Sequence, residues 1–125
     1  MFLITRGTGD EVMTDCLFCK IVSGEIPASK VFENDSVLGF KDINPVAPIH
    51  LLFIPKVHVE NFVEACDHEG LIEEVFQGIS SYLSQNDLSE DHFRVVSNKG
   101  ERAGQSVFHL HFHLIGNRSL SWPPG

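Results

Sequence analysis

Residues 107–115 read VFHLHFHLI, so that Phe108, Leu110, Phe112 and Leu114 alternate with His109, His111 and His113. Successive side chains of a strand point to opposite faces. The repeat therefore predicts a strand with one apolar face and one face carrying all three imidazoles. On a helix the middle histidine would point away from the other two. The β-branched and aromatic residues here, Val107 and Ile115 included, favour the strand as well. A different period governs residues 71–83, where Leu71, Ile72, Val75, Phe76, Ile79, Tyr82 and Leu83 follow the spacing of an amphipathic helix. Asp67 is its expected N-cap, and Gly70 and Gly78 are expected to weaken it by about 1 kcal/mol each relative to alanine.

Shorter segments complete the pattern. CLFCKIVSG, residues 16–24, reads as a short helix ended by Gly24, with a turn following at Ile26 and Pro27. Residues 30–32 and 37–42 flank the turn-rich ENDS and predict a hairpin. INPVAPIH, residues 43–50, carries two prolines and must be a loop; it leads into the apolar run 51–55, a buried strand. Residues 92–97 read as a strand and residues 98–105 as a glycine-bearing loop. The order helix, hairpin, strand, long helix, strand, loop, strand predicts an α+β domain, an antiparallel sheet with helix packed on one face. There is no internal repeat and no low-complexity segment.

Composition narrows the function classes. The chain has 125 residues, 42% hydrophobic and 21% charged, which suits one globular domain. That domain is expected over residues 14–125, behind a flexible leader at 1–13 that lacks the apolar core of a signal peptide. No apolar run approaches the roughly 18 residues of a membrane span. A net charge of −8 excludes a nucleic-acid groove, so a bound anion must be held by local dipoles and hydrogen bonds. Three cysteines, two of them in the CxxC of Cys16 and Cys19, suggest metal or redox use in a cytoplasmic chain. Cys66 is expected to be an ordinary residue at a helix boundary.

Three chemistries fit the histidine face. It could simply meet solvent. It could chelate a metal through all three rings, spaced roughly 6.6 Å apart at alternate strand positions. Or it could work on a phosphate, because Gly100, Gly104 and Ser106 precede it and Asn98 offers an amide. Small residues let backbone N–H groups approach an anion, and a neutral imidazole is a competent nucleophile toward phosphorus.

HLHFHLI, with GQSVF before it, resembles the signature of the histidine triad (HIT) family of nucleotide hydrolases and transferases. The resemblance extends through DCLFCKIVSGEIPASKVFEND and FKDINPVAPIHLLFIPKVHV to the C-terminal WPPG, which points to the Hint branch, the purine nucleoside phosphoramidases. It implies a HIT-like sheet with one long and one short helix, a two-fold homodimer, and substrates derived from purine nucleotides such as AMP or GMP. It implies His111 as the nucleophile that becomes nucleotidylated, with His113 and Ser106 contacting the α-phosphate and assisting the leaving group. Asn98 and the backbone of Gly104 and Gln105 would complete the phosphate site. Asp42 would accept hydrogen bonds from the ribose, and Leu17, Phe18, Ile21, Phe40 and Ile43 would line the base cleft. Trp122 would lie near the leaving group, contributed by the partner subunit. The CxxC departs from the animal Hint pattern. As in other branches of the superfamily, Cys16 and Cys19 would combine with His50 and His109 in a structural zinc site, the alternative being two reduced thiols beside a buried histidine. His58, His68 and His92 are expected to be surface or core histidines. A nucleotide-binding interaction protein or a dinucleoside polyphosphate hydrolase would use the same binding residues.

Overall fold

The computed structural model describes residues 15–125; the leader expected at 1–13 lies outside the described residues. The elements run α1 (Leu17–Val22), β1 (Lys30–Glu33), β2 (Val37–Lys41), β3 (Ile49–Pro55), α2 (Phe62–Ala65), α3 (Leu71–Gln85), β4 (Phe93–Val96), a 3-10 turn (Glu101–Ala103) and β5 (Phe112–Gly116). The strands form one sheet in the order β1-β2-β3-β5-β4, antiparallel throughout, which is the expected α+β architecture. Among the described residues no helix is long and apolar enough to cross a membrane.

Local chemistry sets the boundaries. The hairpin turns at Asn34, whose Oδ1 accepts from the backbone N–H groups of Ser36 (2.9 Å) and Val37 (2.8 Å). The long helix does not start from Asp67. Asn61 caps the separate α2, accepting from Val63 and Glu64 through its side chain, and Asp67 falls in the turn after it. Gly70, at φ +77°, then lets the chain reverse into α3 with no side-chain cap. Gly78 is a point of close approach: a Cβ there would lie 3.0 Å from Val37 Cγ1 and 3.2 Å from Phe32 Cε2. Its poor helix propensity is offset by letting α3 lie directly on the β1–β2 hairpin.

The sheet is buried on both faces, not one. Val37, Leu51, Phe53, Leu110, Phe112 and Leu114 pack toward α3, against Leu71, Val75 and Ile79. Leu38, Phe40, Leu52 and Ile54 pack on the other side against Phe18, Cys19 and Ile21 of α1. The near-continuous apolar content of β2 and β3 is what a doubly covered strand requires. β5 is also shorter than its alternation suggested. Its ladder begins at Phe112, opposite Phe53, and just upstream Leu110 N–H bonds Val59 O (2.7 Å) in the loop after β3. Phe108, expected on the apolar face, is 48% exposed. From Leu110 onward the alternation holds, with the histidines on the α1 side.

Candidate active site and metal centre

His111 and His113 open on a cleft of about 580 Å³ on the α1 face. Leu17, Phe18, Ile21 and Phe40 form its apolar walls, with Asp42, Gly104 and Ser106 also lining it. Ile43 lies at the mouth, 91% exposed. Apolar walls with a few convergent polar groups suit an aromatic ligand with a polar tail. His111 is buried, and its Nδ1 lies 2.7 Å from the carbonyl oxygen of His109. A carbonyl can only accept, so Nδ1 carries the proton and the lone pair is on Nε2. Burial holds the His111 pKa below its ordinary value, against the opposing pull of that carbonyl. The ring is therefore neutral at neutral pH, with a nucleophilic nitrogen available.

His113 is set by its neighbours. The Val46 N–H donates to His50 Nδ1 (3.1 Å), which puts the His50 proton on Nε2. That Nε2 lies 2.9 Å from His113 Nδ1 and 3.3 Å from Asp42 Oδ2. His113 Nδ1 therefore accepts, and its own proton is on Nε2. Burial, reinforced by His111 and His50 and opposed by Asp42, pushes the His113 pKa down to about 4. Asp42 is steadied by Asn44, whose N–H donates to Oδ1 (2.8 Å). The possible ligand atoms of Asp42, His50 and His113 lie within 4.8 Å of one another, but a metal does not fit them. With the Val46 amide on Nδ1, His50 would have to surrender its only ring proton to bind an ion through Nε2. The group is a proton chain.

The four donors that suit a metal are Cys16, Cys19, His58 and His109, all within 4.8 Å of one another. Cys16 Sγ lies 3.5 Å from His109 Nδ1, and Cys19 Sγ lies 3.7 Å from His109 Nδ1 and 3.4 Å from His58 Nδ1. A tetrahedral zinc with ordinary Zn–S and Zn–N bonds has S···N edges of roughly 3.6 Å. His109 is fully buried, and its Nε2–H donates to Pro55 O (2.8 Å), which aims the Nδ1 lone pair at the thiols. The Cys16 thiol is held well below its ordinary pKa by its hydrogen bond with Cys19, and further by His109 and His58, against the effect of burial. The residues fit zinc.

His58 therefore takes the place expected for His50. Strand register explains the exchange. His50 pairs with Ile115, six residues along the chain from His109, or about 20 Å where the chain is extended at 3.3 Å per residue. Upstream of the Phe53–Phe112 pair the chain leaves the ladder, and the bonds from Leu110 N–H to Val59 O and from His109 Nε2–H to Pro55 O bring His109 beside His58. The CxxC and His109 were visible in the sequence, but only the fold shows which upstream histidine reaches them.

The loop before the triad also differs from expectation. Gln105 is buried and fastens the loop: its Oε1 accepts from Gly100 N–H (2.8 Å), and its Nε2 donates to Glu60 O (2.6 Å) and Val107 O (3.2 Å). The N–H groups of Gly104 and Gln105 are bonded within the loop, to Glu101 O and Gly100 O. Neither donor is available to a phosphate, whereas Ser106, His111 and His113 line the cleft. Asn98 packs beside Gly104, which has φ +102°. Trp122 is 79% exposed against Arg94 and does not line the cleft of its own chain. Cys66 ends α2 as expected, and His68 and His92 join neither cluster.

Residues 23–120 match the HIT domain family. The 14 kDa zinc-binding protein of Brassica juncea is 42% identical over 114 residues, 89% of this chain and 100% of its own. Adenylylsulfatase HINT1 of Arabidopsis thaliana is 43% identical over 112 residues, 87% of this chain and 76% of its own. The HIT family hydrolase of Legionella pneumophila superposes with a TM-score of 0.83 at 44% identity, covering 89% of this chain and 100% of that one.

Proposed function

The chain belongs to the histidine triad (HIT) family, and from that premise we propose that it is a purine nucleoside phosphoramidase, cleaving the P–N bond at the α-phosphate of nucleoside monophosphate derivatives. The observation that carries the reading is a pair of neutral histidines at one cleft with opposite proton placement: His111 offers an Nε2 lone pair and His113 an Nε2–H. His111 Nε2 attacks phosphorus as the P–N bond breaks and the nucleotidyl-imidazole forms; the His113 Nε2–H hydrogen-bonds to the departing nitrogen, which takes its proton from solvent water. The new cation keeps its Nδ1–H on the His109 carbonyl. Water then displaces the His111 nitrogen from phosphorus, its proton passing to solvent, and the nucleoside monophosphate is released with His111 neutral again. Ser106 adds a neutral hydroxyl donor to the phosphate. Asp42 accepts from the ribose, and the walls formed by Leu17, Phe18, Ile21, Phe40 and Ile43 hold the purine. The Arabidopsis relative's name, adenylylsulfatase, refers to another nucleoside monophosphate derivative.

The reading gives Zn²⁺ to Cys16, Cys19, His58 and His109, where a closed four-ligand ion supplies a cross-link and no open coordination position. A relative named as a zinc-binding protein supports this, and thiols rather than a disulfide at Cys16 and Cys19 suit a reducing cytoplasm. It also includes a two-fold homodimer. β4 is an edge strand with Val95 40% exposed, and Trp122, distant from its own cleft, would serve the leaving-group end of the partner's.

The test is hydrolysis of adenosine 5′-phosphoramidate, followed by mass spectrometry for an adenylyl adduct. Wild type should turn over and form the adduct on His111. His111→Ala should lose both while still binding AMP, and wild-type turnover by that variant would refute the reading. Faster cleavage of dinucleoside polyphosphates than of any adenosine or guanosine phosphoramidate would replace the P–N bond with a P–O bond.

A further inference from the structure

The Cys16/Cys19/His58/His109 cluster touches the catalytic cleft by two routes. The first runs through backbone: the His109 ring belongs to the cluster, and its own carbonyl oxygen holds the His111 Nδ1–H at 2.7 Å. Residues 107–111 lie outside the β5 ladder, so sheet hydrogen bonds do not fix this stretch. It is held by Leu110 N–H to Val59 O, Ser97 Oγ–H to His111 O (2.8 Å) and the buried His109 ring on Pro55 O. The second route runs through α1. Cys16 caps that helix, accepting the Cys19 N–H on its Sγ at 3.3 Å, and both cluster thiols bracket its first turn. Between them stands Phe18, whose ring meets His109 and His111 edge-on at 5.9 and 5.1 Å and walls the cleft with Leu17 and Ile21. A helix of six residues has no stability of its own.

We infer that the cluster, when it holds its metal, positions the nucleophile and the base wall, so that metal loading controls the active site and not only the fold. His109 and Phe18 are positioning residues in this scheme. It rests on the reading of His111 as nucleophile, but predicts geometry that is measurable without turnover. Losing the ion removes the anchor at His109 Nδ1 and leaves the ring held by Pro55 O alone, shifts the carbonyl that fixes the His111 proton, and loosens the α1 wall. β2, β3 and α3 keep their mutual packing. A displacement near 1 Å in a reacting group costs about 100-fold in kcat/KM.

The experiment compares zinc-loaded protein, the same protein stripped by a chelator, and His58→Gln, which keeps three of the four donors. Nitrogen-15 spectra report the His111 tautomer and Nδ1–H exchange, calorimetry reports AMP affinity, and circular dichroism reports the fold. Stripping should abolish the slowly exchanging His111 Nδ1–H signal and weaken AMP about tenfold, with the sheet retained and both effects reversed by zinc. His58→Gln at limiting zinc should do the same, with rescue by excess zinc. Unchanged AMP affinity and an unchanged His111 signal in folded, stripped protein would overturn the inference. So would collapse of the whole chain on stripping if folded His58→Gln bound AMP as tightly as wild type at limiting zinc, because the cluster would then be a general staple. A His111 signal that follows zinc in a protein that never forms the adenylyl adduct would sink the phosphoramidase reading and leave this coupling standing.

Discussion

Replacing His50 with leucine separates two assignments of one residue. As a metal ligand, His50 would take the zinc with it. In the structure it instead fixes the proton of His113, with its Nε2 2.9 Å from His113 Nδ1. Leucine fills a similar volume in this buried position but leaves the His113 Nδ1 without its donor. An unsatisfied buried acceptor costs about 1–3 kcal/mol, and a bias of that size toward the other His113 tautomer lowers the competent population, and with it the rate, about 5- to 150-fold. The effect should fall in the upper part of that range, because His113 Nδ1 also lies 3.9 Å from Asp42 Oδ2. With His50 gone, the carboxylate draws the His113 proton onto Nδ1, and the ring then has no Nε2–H to offer the leaving group. The assay is steady-state hydrolysis of adenosine phosphoramidate alongside zinc analysis. His50→Leu should lose kcat while AMP affinity and zinc content stay at wild-type levels, since His50 does not line the cleft. His50→Gln, which keeps an N–H donor, should recover part of the rate. A kcat within about twofold of wild type in His50→Leu would refute the proton chain, and loss of zinc would restore the metal assignment.

Two further outcomes are expected. Because burial pushes the His113 pKa from 6.5 to about 4, the unfolded chain binds a proton between those values that the folded chain refuses. The resulting stability is fully present above pH 6.5 and lost as pH falls through 4, about 3 kcal/mol in total. Urea unfolding of His113→Asn should show this much less acid sensitivity, and parallel curves would refute it. Light scattering should give twice the 14.0 kDa chain mass, and removal of residues 122–125 should alter leaving-group preference more than AMP affinity; a monomer, or an unchanged substrate profile, would count against the shared site.

The parts legible in sequence are those with a local cause. Alternation from Leu110 to Leu114 placed the histidines on one face because the pleat enforces it, and the stripe from Leu71 to Leu83 gave α3 because its buried side is continuous. The start of α3 was not legible, since Asn61 and Gly70 divide the region in two and neither signal outweighs the other locally. Gly104 and Gln105 were expected to offer backbone N–H groups to a phosphate; only the folded loop shows both spent on Glu101 O and Gly100 O, with the Gln105 side chain fastening the loop. His58 and His50 were indistinguishable by spacing, because both lie in the segment surrounding β3 and the choice depends on a partner more than fifty residues away.

That last ambiguity contains the logic of the site. β3 runs antiparallel to β5, with His50 at its first turn of ladder and His58 just past its end. The two meet opposite ends of the triad: His58 stacks edge-on to His109 at 5.0 Å between ring centroids, and His50 lies 5.1 Å from His113. Three histidines of identical spacing thereby acquire different chemistry from what occupies the other nitrogen of each ring. Pro55 O takes the His109 Nε2–H and leaves Nδ1 for the thiols. His50 takes up the His113 Nδ1 and leaves an Nε2–H to donate. The middle ring gives its Nδ1–H to a backbone carbonyl and has no hydrogen bond to another imidazole among the described residues. Its Nε2 lone pair is the one the fold does not consume. A strand with period two can put three imidazoles on a face, but it is Pro55 O and the thiols at one end, and His50 at the other, that occupy the outer two and leave His111 Nε2 for the attack the proposed reaction requires.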